Sequence, residues 1–296
     1  MYSYHTSIKS DKSDELINTY LLRPLAGIIV WAIYDTPITP NQVTIASIVS
    51  GIVAAFFYLR GTAGAFIIAG LLISLKDILD SADGQLARAK QQQSRVGRFL
   101  DSIGDFIVDA AVFSSLGWTL YRLKNNWLML LLALLGLIGI SLRVSYHVFY
   151  QVHFLHLQKQ YENNRTTEEV QNKDLMKGGI ELVLQRIFQF MYGWQDRLMA
   201  RIDEWSAKNH FRRPLMAEQR ESSAGHHDWY SDTLGLRVSG LLGFGTELFL
   251  LMLCSVFNRL ELYLYLNVFL MNGIFLMSIA YRRFVLSIRC FSDNEI

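Results

Sequence analysis

The chain has 296 residues, of which 51% are hydrophobic and only 18% charged, a balance that argues against an ordinary soluble enzyme. Its formal net charge of +2 is spread between apolar runs, so it lacks the concentrated basic patch of a nucleic-acid binder, and no nucleic-acid partner is expected. Two cysteines, Cys254 and Cys290, without a Cys-x-x-Cys pair, provide neither a disulfide framework nor a zinc or redox centre, and residues 1–15 contain no apolar stretch of the kind found in a cleaved signal peptide.

In chain order the first element is 16–33, apolar but interrupted by Arg23-Pro24 and closed by Asp35-Thr36-Pro37. That pattern suits a helix lying in the membrane interface better than one crossing it. Windows of bilayer-crossing length then pick out spans at 43–59, 63–79, 99–120, 127–149, 234–257 and 260–281. Between the fourth and fifth lies a polar insert, 151–233. Within it Ile180, Val183, Leu184, Ile187, Met191, Trp194, Leu198 and Ile202 recur at helical spacing, with Gln185, Gln189 and Asp196 off the stripe. Such a helix either packs on its neighbours in a small subdomain or lies on the membrane surface; Trp and Phe beside basic residues favour the surface.

The expected fold is therefore all-α: an integral membrane protein of six transmembrane helices with added interfacial amphipathic helices. Its regions are an N-terminal segment with an interfacial helix (1–41), four spans (42–150), the insert (151–233), and two spans with a tail (234–296). Basic residues are retained on the cytoplasmic side. Lys9, Lys12 and Arg23 precede the first span, Arg88, Lys90, Arg95 and Arg98 join the second to the third, and Arg282, Arg283 and Arg289 follow the sixth; the opposite side has only Arg60, Arg122, Lys124 and Arg259. Both termini, the second-to-third connection and the insert are expected in the cytoplasm.

The residues that carry chemistry are acids at the span ends. Asp80 and Asp83 close the second span and Asp101 and Asp105 open the third. A charge near the membrane centre costs about 2.5 to 3.5 kcal/mol on insertion scales, so four in adjoining spans require a compensating partner. Spacings of three and four residues put each pair on one helix face, and the short connection makes the helices neighbours. Two facing pairs supply a charge that two divalent cations would neutralise. Hard oxygen ligands suit Mg²⁺, Mn²⁺ or Ca²⁺, with Mg²⁺ expected, and Mn²⁺ as its substitute, where phosphates share the site. Between the pairs Gly84 and Ala87 leave room against the helix, and Arg88 offers a guanidinium fork for phosphate oxygens. The alternative, that these acids merely pair with Arg88, Arg95 and Arg98, explains neither the repeated spacing nor the small residues.

Asp80-x-x-Asp83-Gly84-x-x-Ala87-Arg88, followed after eight residues by Gly97-x-x-x-Asp101-x-x-x-Asp105, resembles the signature of the CDP-alcohol phosphatidyltransferases at eight fixed positions in twenty-six residues. Pro40-Asn41-x-x-Thr44 is similar to a second family element. The insert departs from the compact members. The resemblance implies transfer from a CDP-linked lipid to the hydroxyl of a polar alcohol or alcohol phosphate, with release of CMP and two divalent cations per active site. Carried over, Asp80, Asp83, Asp101 and Asp105 would be metal ligands, with Asp105 also the general base. Asn41, Thr44, Asp80, Gly84, Ala87, Arg88 and Gly97 would border the CDP, and homodimerisation is implied by the resemblance alone. The N-terminal stretch from Asp14-Glu15-Leu16-Ile17-Asn18 through Leu22-Arg23-Pro24-Leu25 also resembles branches of the family that handle inositol phosphates.

Arg143, inside the fourth span, has two readings: it receives the phosphate or hydroxyls of a polar acceptor, or it pairs with Asp77 or Asp109. Lys76 is expected to snorkel or to reach a phosphate. His147, His153 and His156, and His226-His227-Asp228 in the insert, are expected to be structural rather than metal-binding. Two other functions compete with phosphatidyl transfer: movement of a polar phospho-headgroup from a CDP-alcohol to a lipid hydroxyl, and divalent-cation transport.

Overall fold

The computed structural model describes residues 15–158, 179–208 and 224–291. Lys9, Lys12, Asp14 and most of the polar half of the insert lie outside the described residues. Those described form helices and short connections. In order they are α1 (Asn18–Ile33), α2 (Pro40–Leu59), α3 (Ala63–Ala89), α4 (Arg95–Lys124), α5 (Leu128–Leu157), α6 (Gly179–Ser206), α7 (Ala224–Ser231), α8 (Thr233–Gly240) and α9 (Phe244–Val256), and finally α10 (Leu260–Cys290). Pro40–Leu59, Leu128–Leu157, Gly225–Val256 and Leu260–Cys290 are long and apolar enough to cross a membrane.

Each turn is fixed by local chemistry. Thr39 caps α2 in a reciprocal box with Gln42, its backbone N–H donating to Gln42 Oε1 at 2.9 Å, and Pro40 occupies the first turn, where no N–H is needed. Ser94 caps α4 through the Gly97 N–H at 3.0 Å. The α4–α5 turn uses a left-handed Asn125, φ 50°.

α3 and α4 have 27 and 30 residues, so α4 is about 45 Å long against a hydrocarbon core of about 30 Å. A spanning helix of that length leaves one end in the polar layer, and the charged end of the pair is the one where α3 finishes and α4 begins. Hydropathy ends the second span at 79 and begins the third at 99, whereas the helices run to Ala89 and from Arg95. Charge stops a hydropathy window but not a ladder of backbone hydrogen bonds.

α2 packs closely between these two. Ser47 and Ser50 donate their hydroxyls to the Lys76 and Leu72 carbonyls of α3, both at 2.9 Å. On the α4 side a Cβ at Gly51 would collide with the Val108 side chain, and one at Gly104 with Ile48, the small-residue approach that lets membrane helices associate by packing. Tyr58, Phe66, Ile73, Phe113, Leu116 and Tyr263 lie in the core that follows.

Two late elements differ from expectation. The fifth span is broken at 241–243, between α8 and α9, and the buried Glu15 carboxylate fits there, accepting from the Thr246 N–H at 3.2 Å. A Cβ at Gly243 would overlap the Glu15 side chain, so a larger residue there would displace this carboxylate. The sixth span continues past 281 to Cys290 and contains wide π turns at Leu266–Met271 and Arg282–Leu286.

Candidate active site

The polar end of α2, α3 and α4 gathers the four aspartates. One carboxylate oxygen each from Asp80, Asp101 and Asp105 lies within 4.8 Å of the others, the one such metal-capable group among the described residues. The helical spacing inferred from sequence accounts for this convergence. Asp83 is turned toward α2, where the Thr44 hydroxyl donates to its Oδ2 at 2.6 Å. Asp83, Asp105 and Thr44 are buried, whereas Asp80, Asp101, Asn41, Gly84, Ala87, Arg88 and Gly97 are half-exposed. The site thus has a buried carboxylate floor and a partly open rim. The donor set is entirely hard oxygen, and a carboxylate cluster of this density suits Mg²⁺ or Mn²⁺.

Two close approaches define the rim. A Cβ on Gly97 would come within 2.8 Å of Asn41 Oδ1, so this glycine is what lets α4 approach the start of α2. The Arg88 guanidinium lies one turn beyond Gly84, with Nη1 at 3.5 Å from a Cβ built there. Lys90 secures the rim from below, donating to the Thr36 and Ile38 carbonyls at 2.8 and 2.9 Å. Gly97→Ala is therefore expected to displace Asn41 with little change in melting temperature and, where the rim borders CDP as the resemblance implies, to weaken CDP binding several-fold in calorimetric titration of the detergent-purified protein.

Lys76 has a partner in the cluster that the sequence did not assign to it. Its buried ammonium donates to Asp105 Oδ1 and pairs with it, and Asp77, Asp80 and Asp109 lie within its electrostatic reach. The signal was present: Lys76, Asp80 and Asp83 follow the four-and-three spacing of one helix face. Neither a snorkelling position nor solvent access is seen, since Lys76 is 1% exposed. Behind it, the Phe244 ring of α9 lies 5.7 Å from the Lys76 Nζ.

Arg143 has a different place from either carboxylate named for it. Its side chain is 0% exposed and pairs with Glu247 of α9 at 2.9 Å, with further bonds to Asn272 Oδ1 at 2.6 Å and the Asn267 carbonyl at 3.1 Å. The pairing alternative was thus drawn with the wrong acids: the partner is Glu247, 104 residues away, not Asp77 or Asp109. Glu247 also accepts from Asn267 and from Tyr263 at 3.1 Å. His147 Nδ1 lies 3.2 Å from the Ser239 hydroxyl, and His153 stacks on Tyr230 at 4.4 Å, so both have packing partners.

Residues 37–160 match the CDP-alcohol phosphatidyltransferase family. The chain is 38% identical over 109 residues to a bifunctional IPC transferase and DIPP synthase of Thermococcus kodakarensis, covering 37% of this chain and 23% of that one. It is 41% identical over 76 residues to an archaetidylinositol phosphate synthase of Pyrococcus horikoshii, covering 25% and 38%. It is 33% identical over 98 residues to a phosphatidylinositol phosphate synthase of Mycobacteroides abscessus, covering 33% and 42%. The chain thus spans less than half the length of each of these relatives. The matched stretch, 37–160, holds α2, the α3–α4 pair and all four aspartates.

Proposed function

We propose that the protein transfers a phosphatidyl-type group from a CDP-linked lipid, CDP-diacylglycerol being favoured, to the hydroxyl of a polar alcohol phosphate, releasing CMP. The observation that carries this reading is the convergence of Asp80, Asp101 and Asp105 within 4.8 Å inside the family domain. Names of two relatives specify inositol phosphate products, which makes an inositol phosphate the first acceptor to test.

In this mechanism Asp80, Asp83, Asp101 and Asp105 would hold two divalent cations, which supply charge neutralisation to the diphosphate. Asn41, Thr44, Gly84, Ala87, Arg88 and Gly97 border the CDP. Asp105 takes the proton of the acceptor hydroxyl as the new oxygen–phosphorus bond forms at the lipid-bearing phosphorus and the bond to CMP breaks. Lys76 fixes the Asp105 carboxylate from behind, so that one oxygen is oriented before substrate arrives. The site and both termini face the cytoplasm in this reading, and two copies associate in the membrane.

The test is purified protein with CDP-diacylglycerol, Mg²⁺ and a panel of phosphorylated and unphosphorylated alcohols. CMP release is expected only with an acceptor present, lost with a chelator and restored by Mg²⁺. Consumption of a CDP-linked polar alcohol with diacylglycerol, and none of CDP-diacylglycerol, would reverse the allocation of substrates. Metal flux across vesicles without nucleotide dependence would replace the transferase by a transporter.

A further inference from the structure

α6 lies beyond the stretch that matches the family, and its polarity is the reverse of a helix packed in water. Its buried face carries Gln185, Gln195, Met199, Asp203 and Ser206. Its outer face carries Ile180, Val183, Ile187, Phe190 and Trp194, all exposed, Phe190 to 86%. The apolar stripe read from sequence is thus split. Leu184, Met191, Leu198 and Ile202 are half-buried along its edge, while its other members face outward. Arg186, Arg197 and Arg201 are exposed on that same outer side and project within about a quarter turn of the apolar stripe at 100° per residue.

The inward face grips the charged end of the domain. Phe188 packs on Phe99 at 5.2 Å, Glu181 pairs with Arg95 at 3.0 Å, and the Tyr192 hydroxyl donates to the Ser102 carbonyl at 2.9 Å. Ser102 immediately follows Asp101 in sequence. On α5, Gln195 bonds to Ser141 at 2.9 Å and accepts from Ser145 at 2.5 Å, and Asp203 accepts from Tyr150 at 2.8 Å. Burial first, and then Asp105, Asp109 and Asp101, push the Tyr192 phenol above its ordinary pKa, so it stays a hydrogen-bond donor.

We propose that α6 docks in the headgroup layer of an anionic leaflet and, from there, braces the stretch of α4 that carries Asp101 and Asp105. An apolar stripe edged by arginines is the surface that such a layer takes: rings and aliphatic chains enter the acyl boundary while guanidinium groups meet lipid phosphates. The polar inner face follows from the same geometry, since the protein side is where α6 finds hydrogen-bonding partners. The docking stands without the transferase reading; the brace rests on the reading that these aspartates hold divalent cations.

The experiment uses the full chain in nanodiscs, with Cys254→Ser, Cys290→Ser and Phe190→Cys, and a bimane label at position 190. In phosphatidylcholine with phosphatidylglycerol the label is expected to emit as in an apolar medium and to be quenched by brominated acyl chains. Water-like emission without quenching would overturn the docking, as would an apolar emission that only a second protein, and no bilayer, produces. Adding Arg186→Gln, Arg197→Gln and Arg201→Gln should reduce quenching several-fold and remove its dependence on phosphatidylglycerol; an unchanged dependence would overturn the anionic preference. For the brace, Tyr192→Phe in the otherwise native chain should weaken Mn²⁺ binding, read by electron paramagnetic resonance, several-fold at an unchanged melting temperature. Native Mn²⁺ affinity in that variant overturns the brace. Absence of Mn²⁺ binding in the native chain would overturn the cation reading itself, and the label would still decide the docking.

Discussion

Asp105→Asn is expected to lower CMP release by at least about a thousandfold, within the range that a general base contributes together with a distorted metal site. The substitution keeps the side-chain volume and removes the proton acceptor. It also takes away the partner of the Lys76 ammonium, which would be serious for a solitary buried cation. Here Asp77, Asp80 and Asp109 remain within its reach, so the fold should survive and much of the CDP affinity should remain. Single-turnover assays beside a thermal melt check both halves. A stable variant that turns over at the native rate removes Asp105 from the role of base, and Asp101 becomes the next residue to test.

Arg143→Ala should be the most damaging substitution far from the carboxylate cluster. It strands Glu247, whose side chain is 0% exposed, and breaking a buried pair from one side costs about 3–5 kcal/mol. At about 2–4 °C per kcal/mol that corresponds to a fall in melting temperature of roughly 6 to 20 °C. Asn267 and Tyr263 would still donate to the carboxylate, which sets the lower part of that range. Were Arg143 instead a ligand of the acceptor phosphate, the same change would raise the acceptor KM about ten- to a hundredfold with stability retained. Melting temperature and both Michaelis constants together decide between the two. With the guanidinium already bonded to Glu247, Asn272 and Asn267, the stability loss is the expected result.

The aspartate cluster was legible because helical periodicity and a short connection are local rules: Asp80 and Asp83, then Asp101 and Asp105, need no knowledge of the rest of the fold to be placed face to face. Asn41 beside Gly97 was legible only through the family resemblance, since nothing in either segment points to the other. The Lys76–Asp105 pair follows the same face count that places the acids, but the sequence alone pointed only to a snorkelling lysine or a phosphate contact and assigned it no carboxylate. Arg143 and Glu247 could not be matched, because pairing across 104 residues depends on how α9 packs against α5. For α6 the sequence left two readings, packing in a subdomain or lying on a membrane surface, and favoured the second. Which way the stripe turns depends on what lies outside it, and the exposure of Phe190 and Trp194 with burial of Gln185 and Gln195 is the arrangement on which the proposed docking rests.

The Glu15 carboxylate and the Thr246 N–H that holds it are 231 residues apart, which gives the protein an order of assembly in time. Ribosomes add about 5–20 residues per second, so the N-terminal helix waits on the order of 10 to 50 s for its anchor to be made. Until then the hairpin of aspartates exists without Phe244, the ring behind Lys76. A nascent chain halted before α9 would hold all four aspartates and every residue of the proposed CDP rim and still lack the ring behind Lys76, so the aspartate cluster is translated early and enclosed last.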